Sequence, residues 1–166
     1  MNALPASVLE STEHDFITED VVLEILRRRI PGLHFTSLVE QDRPAPFVLI
    51  RGLPASFSPT DRRFVESVYF SAEAFTSGLD ADAEGPRVLR AIANAVRRSG
   101  LDKDLILDEL GWVQQGQMVG DAMRRADYAN SEGPVQYADL PQGWVRYWGT
   151  YRLQIKRAFP GPNIHS

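Results

Sequence analysis

The stretch that decides the fold reads Trp144-Val145-Arg146-Tyr147-Trp148-Gly149-Thr150-Tyr151-Arg152-Leu153-Gln154-Ile155-Lys156. Side-chain character alternates along it with a period of two, which indicates a β-strand. One predicted face carries the apolar side chains of Val145, Tyr147, Tyr151, Leu153 and Ile155. The other mixes aromatic rings with cations and consists of Trp144, Arg146, Trp148, Thr150, Arg152, Gln154 and Lys156. We therefore expect one face to join the core and the other to meet a second surface.

This predicted strand is unusually long. At roughly 3.3 Å per residue it spans on the order of 40 Å, whereas a typical strand has about 5 to 6 residues. Such a strand either bends at Gly149 or reaches beyond its own domain. The clearest pattern in the sequence therefore concerns architecture, and no reaction centre is equally clear.

Two amphipathic helices are predicted upstream of this strand. Thr18 is expected to cap the first, which carries acidic residues in its first turn and ends before Pro31-Gly32. The second opens on the acidic segment 80–86 and ends at Gly100. Its apolar face is formed by Val88, Leu89, Ile92, Ala93 and Val96.

Two further strands are predicted between these helices. The run 47–51 is apolar and bounded by Gly52 and Pro54, and residues 63–75 alternate with a period of two. Glu66 is the misfit on the apolar face of the second strand. The order of helix, two strands, helix and C-terminal strand predicts a single-domain α+β fold, with an antiparallel or mixed β-sheet and helices packed on one face.

The segment 101–143 has the weakest pattern. Leu105, Ile106 and Leu110 predict a short helical turn and residues 111–113 a short strand, while 114–143 holds glycines and prolines without a sustained period. Loops beyond about 12 to 15 residues are commonly functional or disordered, so we predict an interface loop over 114–143 that a partner orders, with a flexible surface loop as the alternative. The predicted divisions are an irregular N-terminal arm (1–14), a domain (15–157) and a C-terminal tail (158–166).

Composition limits the classes of function. The chain has 166 residues, a net charge of −4, 18 basic and 22 acidic residues, and no cysteine, which excludes disulfides and thiolate metal sites. The acidic balance argues against sequence-independent nucleic-acid binding by the chain as a whole. No apolar run reaches the length of a membrane span and the N-terminus lacks a secretory pattern, so we expect a soluble, unexported protein with no membrane partner.

No catalytic, cofactor or metal site is predicted. The histidines His14, His34 and His165 lack the spacing of metal ligands, and no activated nucleophile or phosphate-binding glycine motif is present. The acidic pairs Asp80 with Asp82 and Asp102 with Asp104 could serve a hydrolase, but helix capping and dipole effects explain acids at these positions.

A protein interface is the site that the sequence favours. Tryptophan and arginine are typical interface anchors, and arginine far outnumbers lysine in this chain. The predicted contact residues are Trp144, Arg146, Trp148, Arg152, Tyr128, Arg124 and Arg125. An aromatic platform flanked by cations can also stack nucleic-acid bases, although the net charge opposes that alternative.

In chain order these elements resemble the tail terminator proteins of long-tailed (siphovirus-type) bacteriophages. The resemblance covers residues 15–157 and rests on the opening helix 20–26, the strands 47–51 and 65–72, the crossing helix 87–97 and the final strand 146–153. The length of the 114–143 segment and the tail Pro160-Gly161-Pro162 depart from that pattern.

The resemblance implies a non-enzymatic structural protein of the virion, assembled in the host cytoplasm, that needs no cofactor. It implies a hexameric ring that caps the head-proximal end of the tail tube, stops tube polymerisation and joins the tail to the neck. The implied partners are further copies of the chain, the major tail tube protein and a neck or head-completion protein. DNA would pass through the lumen without specific binding, and the acidic balance could limit its adhesion.

Two other classes remain open. A neck or head-completion protein, which connects head to tail, would be recognised by the virion ring with which it co-purifies. A small ligand- or nucleic-acid-binding enzyme would require a convergent pocket with polar groups at Asp80, Asp82, Asp102 or Asp104.

Overall fold

The computed structural model describes residues 3–12, 16–38, 43–54, 64–107, 109–125 and 143–158. Within these ranges the chain forms three helices and six strands. The helices are α1 (Ala6–Ser11), α2 (Thr18–Arg29) and α3 (Ala81–Asp102). The strands are β1 (His34–Thr36), β2 (Phe47–Leu53), β3 (Val65–Ser77), β4 (Leu105–Ile106), β5 (Gly111–Arg125) and β6 (Trp144–Arg157).

The strands form one mixed sheet in the order β1-β2-β3-β6-β5-β4. Strand β1 runs parallel to β2, and all other neighbours are antiparallel. Helix α3 connects β3 to the β4–β5 pair by crossing over β6, which lies between them. The predicted α+β class, a single domain with a mixed sheet, is confirmed.

Helices α2 and α3 pack on the same face of the sheet and enclose the core. The members of the core from α2 and α3 include Val21, Val22, Ile25, Leu26, Leu89, Ile92 and Val96, and those from the sheet include Phe35, Val48, Ile50, Val68, Phe70, Val113, Tyr151, Leu153 and Ile155. The predicted apolar face of the C-terminal strand therefore faces this core. The sheet residues of the core alternate along β2, β3 and β6 because successive side chains of a strand point to opposite faces.

The length of β6 is accommodated by equally long neighbours. Strand β6 pairs with β3 from Trp144 to Lys156 and with β5 over nearly the same span. Neither of the two expected solutions, a bend at Gly149 or an extension beyond the domain, is needed to place it. The irregularity falls on β5, whose register shifts near Met118, Gly120 and Met123 lie opposite Trp148 to Tyr151.

The start of α2 differs from the expected cap. Ile17 occupies the N-cap position without a side-chain hydrogen bond, and Thr18 is the first helical residue. The carboxylate of Glu19 instead accepts a hydrogen bond from the backbone N–H of Gly52 at 2.8 Å. An acid in the first turn thus ties α2 to β2, in addition to its favourable position at the helix N-terminus.

Helix α3 continues past the glycine that was expected to end it. Gly100 is buried within the helix, where a Cβ atom would lie 2.9 Å from the Cα of Gln115. The helix ends instead at Lys103, which adopts a left-handed conformation with φ of 55°. Gly100 is therefore needed for close approach of α3 to β5 and does not cap the helix.

The predicted interface loop is partly a strand. Residues 114–125 belong to β5, and residues 126–142 lie outside the described ranges. The predicted helical turn at Leu105 and Ile106 is also wrong, because these residues form β4. The N-terminal arm contains the short helix α1, which has no buried residue, and of the predicted tail only Ala158 is described.

Glu66, the misfit of the sequence pattern, is explained by a partner from the opposite end of the chain. It accepts a hydrogen bond from Arg157 Nη2, and the guanidinium of Arg157 lies 5.3 Å from the centre of the Phe16 ring. Phe16 in turn packs against the core. The charge is thus neutralised at the end of the covered face, which removes the cost of an unpaired carboxylate there.

Candidate functional site

The face of the sheet opposite α2 and α3 is the candidate site, and we call it the open face. Residues directly opposite one another in a ladder point to the same face. The register therefore assigns to it Phe47, Leu49, Arg51 and Leu53 of β2, and Val65, Ser67, Tyr69, Ser71, Glu73, Phe75 and Ser77 of β3. The register also assigns to the open face Trp144, Arg146, Trp148, Thr150, Arg152, Gln154 and Lys156 of β6, with Trp112, Gln115, Gln117, Gly120 and Met123 of β5.

One end of the open face is aromatic. The rings of Phe47 and Phe75 stack with their centres 4.6 Å apart, and Trp144 meets Phe47 edge-on at 6.1 Å. Leu49 and Phe75 are only 1% exposed, whereas Phe47, Trp144 and Trp148 are half-buried. We call Phe47, Leu49, Phe75, Trp144 and Trp148 the aromatic half. It buries apolar surface on the side of the sheet that α2 and α3 do not cover.

An ion pair lies within this aromatic half. Arg146 Nη1 donates to Glu73 Oε2 at 3.3 Å, and Arg146 is 4% exposed. The arginine was predicted as a contact residue, but its side chain is buried in the folded chain. Loss of either partner would leave a charge with little access to water, which is costly. Arg146 therefore serves first to neutralise Glu73 and to orient the strands β3 and β6.

The other end of the open face is polar and carries cations. We call its polar and charged members the polar half: Arg51, Ser67, Tyr69, Thr150, Arg152, Gln154, Lys156, Gln115 and Gln117, with the apolar Leu53 and Val65 at the same end. Tyr69 lies directly opposite Arg152. The ammonium of Lys156 lies 5.7 Å from the centre of the Trp112 ring, at the margin of this half. Among the paired residues that the structure describes on the open face, Glu73 is the only acid.

Strand β5 provides a long edge beside the open face. Strand β4 pairs only with Gly111 and Trp112, the amide of Val113 donates to the carbonyl of Asp104, and Lys103 Nζ donates to the carbonyl of Gln114. Beyond that point, up to Arg125, the described ladder of β5 is formed with β6 alone. Val119 and Met123 are exposed on this segment. An edge with free backbone groups can accept a further strand, and its bulges restrict which strand fits.

The structure brings four of the predicted contact residues onto one surface. Trp144, Arg146, Trp148 and Arg152 share the open face, as the alternation predicted. Arg124 and Arg125 end β5, opposite Tyr147 and Arg146 in the register, and the structure describes their backbone only. Tyr128 lies outside the described residues.

Sequence reasoning missed the residues that β2, β3 and β5 add to this surface. Arg51 and Tyr69 become neighbours of β6 only through the ladder β2-β3-β6. The alternation of residues 63–75 had placed Tyr69 on the face opposite Phe70, which was a usable signal. No comparable signal existed for Gln115 and Gln117, because the register shifts of β5 break the period of two.

The four carboxylates considered for a hydrolase do not converge. Asp82 lies at the start of α3 and Asp102 at its end, so about 30 Å of helix separates the two acidic pairs. Asp82 Oδ1 accepts a hydrogen bond from the Tyr147 hydroxyl at 3.1 Å. Asp102 and Asp104 both pair with Arg29 of α2. Each of the two acidic pairs therefore contacts a residue of the fold, Tyr147 in the first case and Arg29 in the second.

The Arg29 cluster joins α2 to the end of α3. Arg29 Nε donates to Asp104 Oδ2 at 2.8 Å, and Arg29 Nη1 lies 2.8 Å from Asp102 Oδ2. Burial tends to raise the pKa of the Asp104 carboxyl, but the hydrogen bonds from Arg29 and the charges of Arg29 and Arg28 outweigh it, so that pKa is lowered. The hydrogen bond that Arg29 donates to Asp104 is also the largest cause of the raised pKa of Arg29. The pair is therefore ionised at neutral pH.

Other types of site find no support in the described part of the chain. It contains no group of three or more histidine, aspartate or glutamate side chains placed to hold a metal ion. None of its helices is long and apolar enough to cross a membrane. No protein-family model matches the sequence, and no curated protein matches it either.

Proposed function

We propose that this protein is a structural ring component of a phage tail, which caps the head-proximal end of the tail tube and joins the tail to the neck. The observation that carries the proposal is the one-sided sheet, in which α2 and α3 cover one face and the open face ends at the long edge of β5. A subunit of a ring needs two contact surfaces that differ, because a heterologous contact closes into a ring. The aromatic half and the β5 edge supply two such surfaces.

The chemistry of these surfaces favours protein contacts. Trp144 and Trp148 are half-buried in the isolated chain, so a partner can bury the remainder of each ring. On the β5 edge, a strand of a neighbouring copy or of the tube could add to the sheet and would gain main-chain hydrogen bonds. Val119 and Met123 would supply apolar contact there.

The mass of the purified protein in solution tests the proposal. We expect static light scattering to give a closed ring, either for the protein alone or after it is mixed with the tail tube protein. The difference between the two samples shows whether the tube templates the ring. A monomer in both samples contradicts the ring, and recovery with a neck ring alone would favour the head-completion alternative.

Replacement of Trp148 by Ala tests the contact surface. Assembly should weaken at least about 10-fold, since truncation of an interface tryptophan commonly costs about 2 kcal/mol, while the free energy of unfolding of the monomer changes less. The matched control is Trp112→Ala, which removes the same ring from the far end of the open face. Sedimentation velocity measures the ring and chemical denaturation measures the monomer. A larger loss in folding than in assembly would make Trp148 a residue of the fold.

A further inference from the structure

Residues 103–107 directly follow α3, and we call them the strap. The strap contains β4, whose ladder pairs Leu105 and Ile106 with the first two residues of β5. Ile106 is 1% exposed and belongs to the core, with Leu107 partly buried against it. Leu105 is 50% exposed. The strap is therefore fastened to the sheet by a two-residue ladder and a single fully buried side chain.

Side chains of α2 hold the backbone of the strap, in addition to the Arg29 cluster. Glu24 Oε2 accepts a hydrogen bond from the backbone N–H of Leu107 at 2.8 Å. Arg28 Nη1 donates to the carbonyl oxygen of Leu105 at 3.3 Å. Glu24 Oε1 also pairs with Arg28 Nη2 at 2.6 Å. Glu24 therefore makes one of these contacts itself and orients the side chain that makes the other.

Both ends of the strap have an unfavourable backbone conformation. Lys103 has a φ of 55° and Leu107 has a φ of 34°. Residues with a Cβ atom rarely adopt positive φ, and they keep it only where surrounding contacts hold them there. The contacts with α2 and β5 therefore hold the strap against the backbone preference of its two end residues.

The strap covers the start of the outer edge of β5. The carbonyl oxygen of Asp104 accepts a hydrogen bond from the N–H of Val113 at 2.8 Å, and Lys103 Nζ donates to the carbonyl of Gln114 at 3.3 Å. Beyond Gln114 the described ladder of β5 is formed with β6 alone. The strap thus ends where the edge that we propose for a further strand begins. Its removal would lengthen that edge by residues 111–114, which corresponds to roughly 13 Å.

We propose that the strap opens as a unit and, while closed, inhibits the addition of a strand of a neighbouring copy to the start of β5. The inhibitory role rests on the proposed function, whereas the opening is a property of the single chain. A strand that pairs with residues 111–114 must displace the strap, because both use the same backbone groups of β5. A partner that binds only the open state shifts the equilibrium toward it, so assembly and opening favour each other.

Hydrogen exchange of the monomeric chain tests the opening. The amides of Leu107 and Val113 should exchange together, at least about 10-fold faster than the amides of β3 and β6 in the middle of the sheet. Glu24→Ala should accelerate both by at least about another 10-fold, because it removes a charged acceptor. The amide of Val113 is bonded to Asp104, so its acceleration reports opening of the whole strap. The control Asp20→Ala removes an exposed acid from the first turn of α2 and should change neither rate.

Lys103→Gly is the variant of opposite sign. Glycine adopts positive φ without penalty, so the closed strap should be favoured and both amides should exchange about 3-fold more slowly. Three results would overturn the opening: exchange of both amides at the rate of the central strands, acceleration of Leu107 alone in Glu24→Ala, and equal acceleration in the control. Faster exchange in Lys103→Gly would overturn the contribution of backbone strain.

Sedimentation velocity of the same variants tests the inhibitory role. Glu24→Ala should assemble at a concentration about 3- to 10-fold lower than the unsubstituted chain, and Lys103→Gly at a higher one. Equal or reversed assembly would overturn that role. A chain that stays monomeric in every variant, with and without the tail tube protein, contradicts the proposed function and the inhibitory role together. The exchange rates of the monomer decide the opening in either case.

Discussion

The covered face and the open face of the sheet are built from alternate residues of the same strands but differ in chemistry. On β3, Phe70 points into the core and stacks on Tyr151 with ring centres 5.1 Å apart, while its neighbour Tyr69 lies on the open face beside Arg152. The covered face gains its stability from apolar contact with α2 and α3. The open face is divided into an aromatic half and a polar half. One sheet thus carries two faces of different chemistry, and only one of them packs against α2 and α3.

The largest expected effect comes from alanine substitution at a core residue of β3, compared with the same substitution at its neighbour on the open face. Phe70→Ala should lower the free energy of unfolding by about 3 to 5 kcal/mol, because it removes a fully buried ring and leaves a cavity against Tyr151. The matched variant Tyr69→Ala should cost about 1 kcal/mol or less, since its side chain is only half-buried. Urea denaturation measures both. Similar losses would show that the open face contributes to folding as much as the covered face does.

Two glycines of β5 allow a second comparison of the faces. A Cβ atom at Gly116 would clash with the Val96 carbonyl oxygen of α3, so Gly116→Ala must displace the helix and should cost about 1 to 3 kcal/mol. At Gly120 the nearest atom is Thr150 Cβ at 3.7 Å, an ordinary contact. Gly120→Ala should change stability by less than about 1 kcal/mol. Equal thermal shifts for the two variants would contradict the close packing of α3 on β5.

The ion pair at the edge of the helical layer gives the smallest expected effect. The pKa of Asp104 is lowered below its ordinary value of 3.8 in the folded chain, so its contribution is present above about pH 4 and is lost as pH falls through the folded pKa. Asp104→Asn should lower the free energy of unfolding at neutral pH by about 1 to 2 kcal/mol. It should also reduce the loss of stability on acidification.

Urea denaturation between about pH 3 and 7 measures this effect. The control Asp121→Asn alters an exposed acid on β5 and should leave the profile unchanged. If the free energy of unfolding falls as steeply on acidification in Asp104→Asn as in the unsubstituted protein, other carboxylates cause the acid sensitivity.

The fold could largely be predicted from the sequence wherever the pattern of buried residues follows the period of a helix or a strand. The alternation of residues 144–156 predicted both faces of β6, and the apolar spacing of α2 and α3 predicted their packing on the sheet. Prediction failed along 114–125, where register shifts interrupt the alternation and Gly116 is required by the approach of Val96. It also failed at Gly100, which resembles a helix stop in sequence but permits contact with β5.

The candidate site was accessible only in part. Trp144, Trp148 and Arg152 were predicted on one face from β6 alone, and the structure places them there. The burial of Arg146 could not be predicted, because its partner Glu73 is 73 residues away in sequence. The division into an aromatic and a polar half also depends on β2, β3 and β5, whose order in the sheet is not encoded by any local pattern.

The sequence by itself determined which side chains of β6 share the face that joins the core, since a strand turns every second residue to the same face whatever lies beside it. It also determined the two helices, whose apolar stripes need only the helical period. The tertiary structure decided which residues share the open face, that β5 is a strand paired beyond Gln114 with β6 alone among the described residues, and that Glu66, Glu73 and Asp104 are paired. These features require contacts between residues far apart in the chain, and such contacts exist only once the sheet has formed.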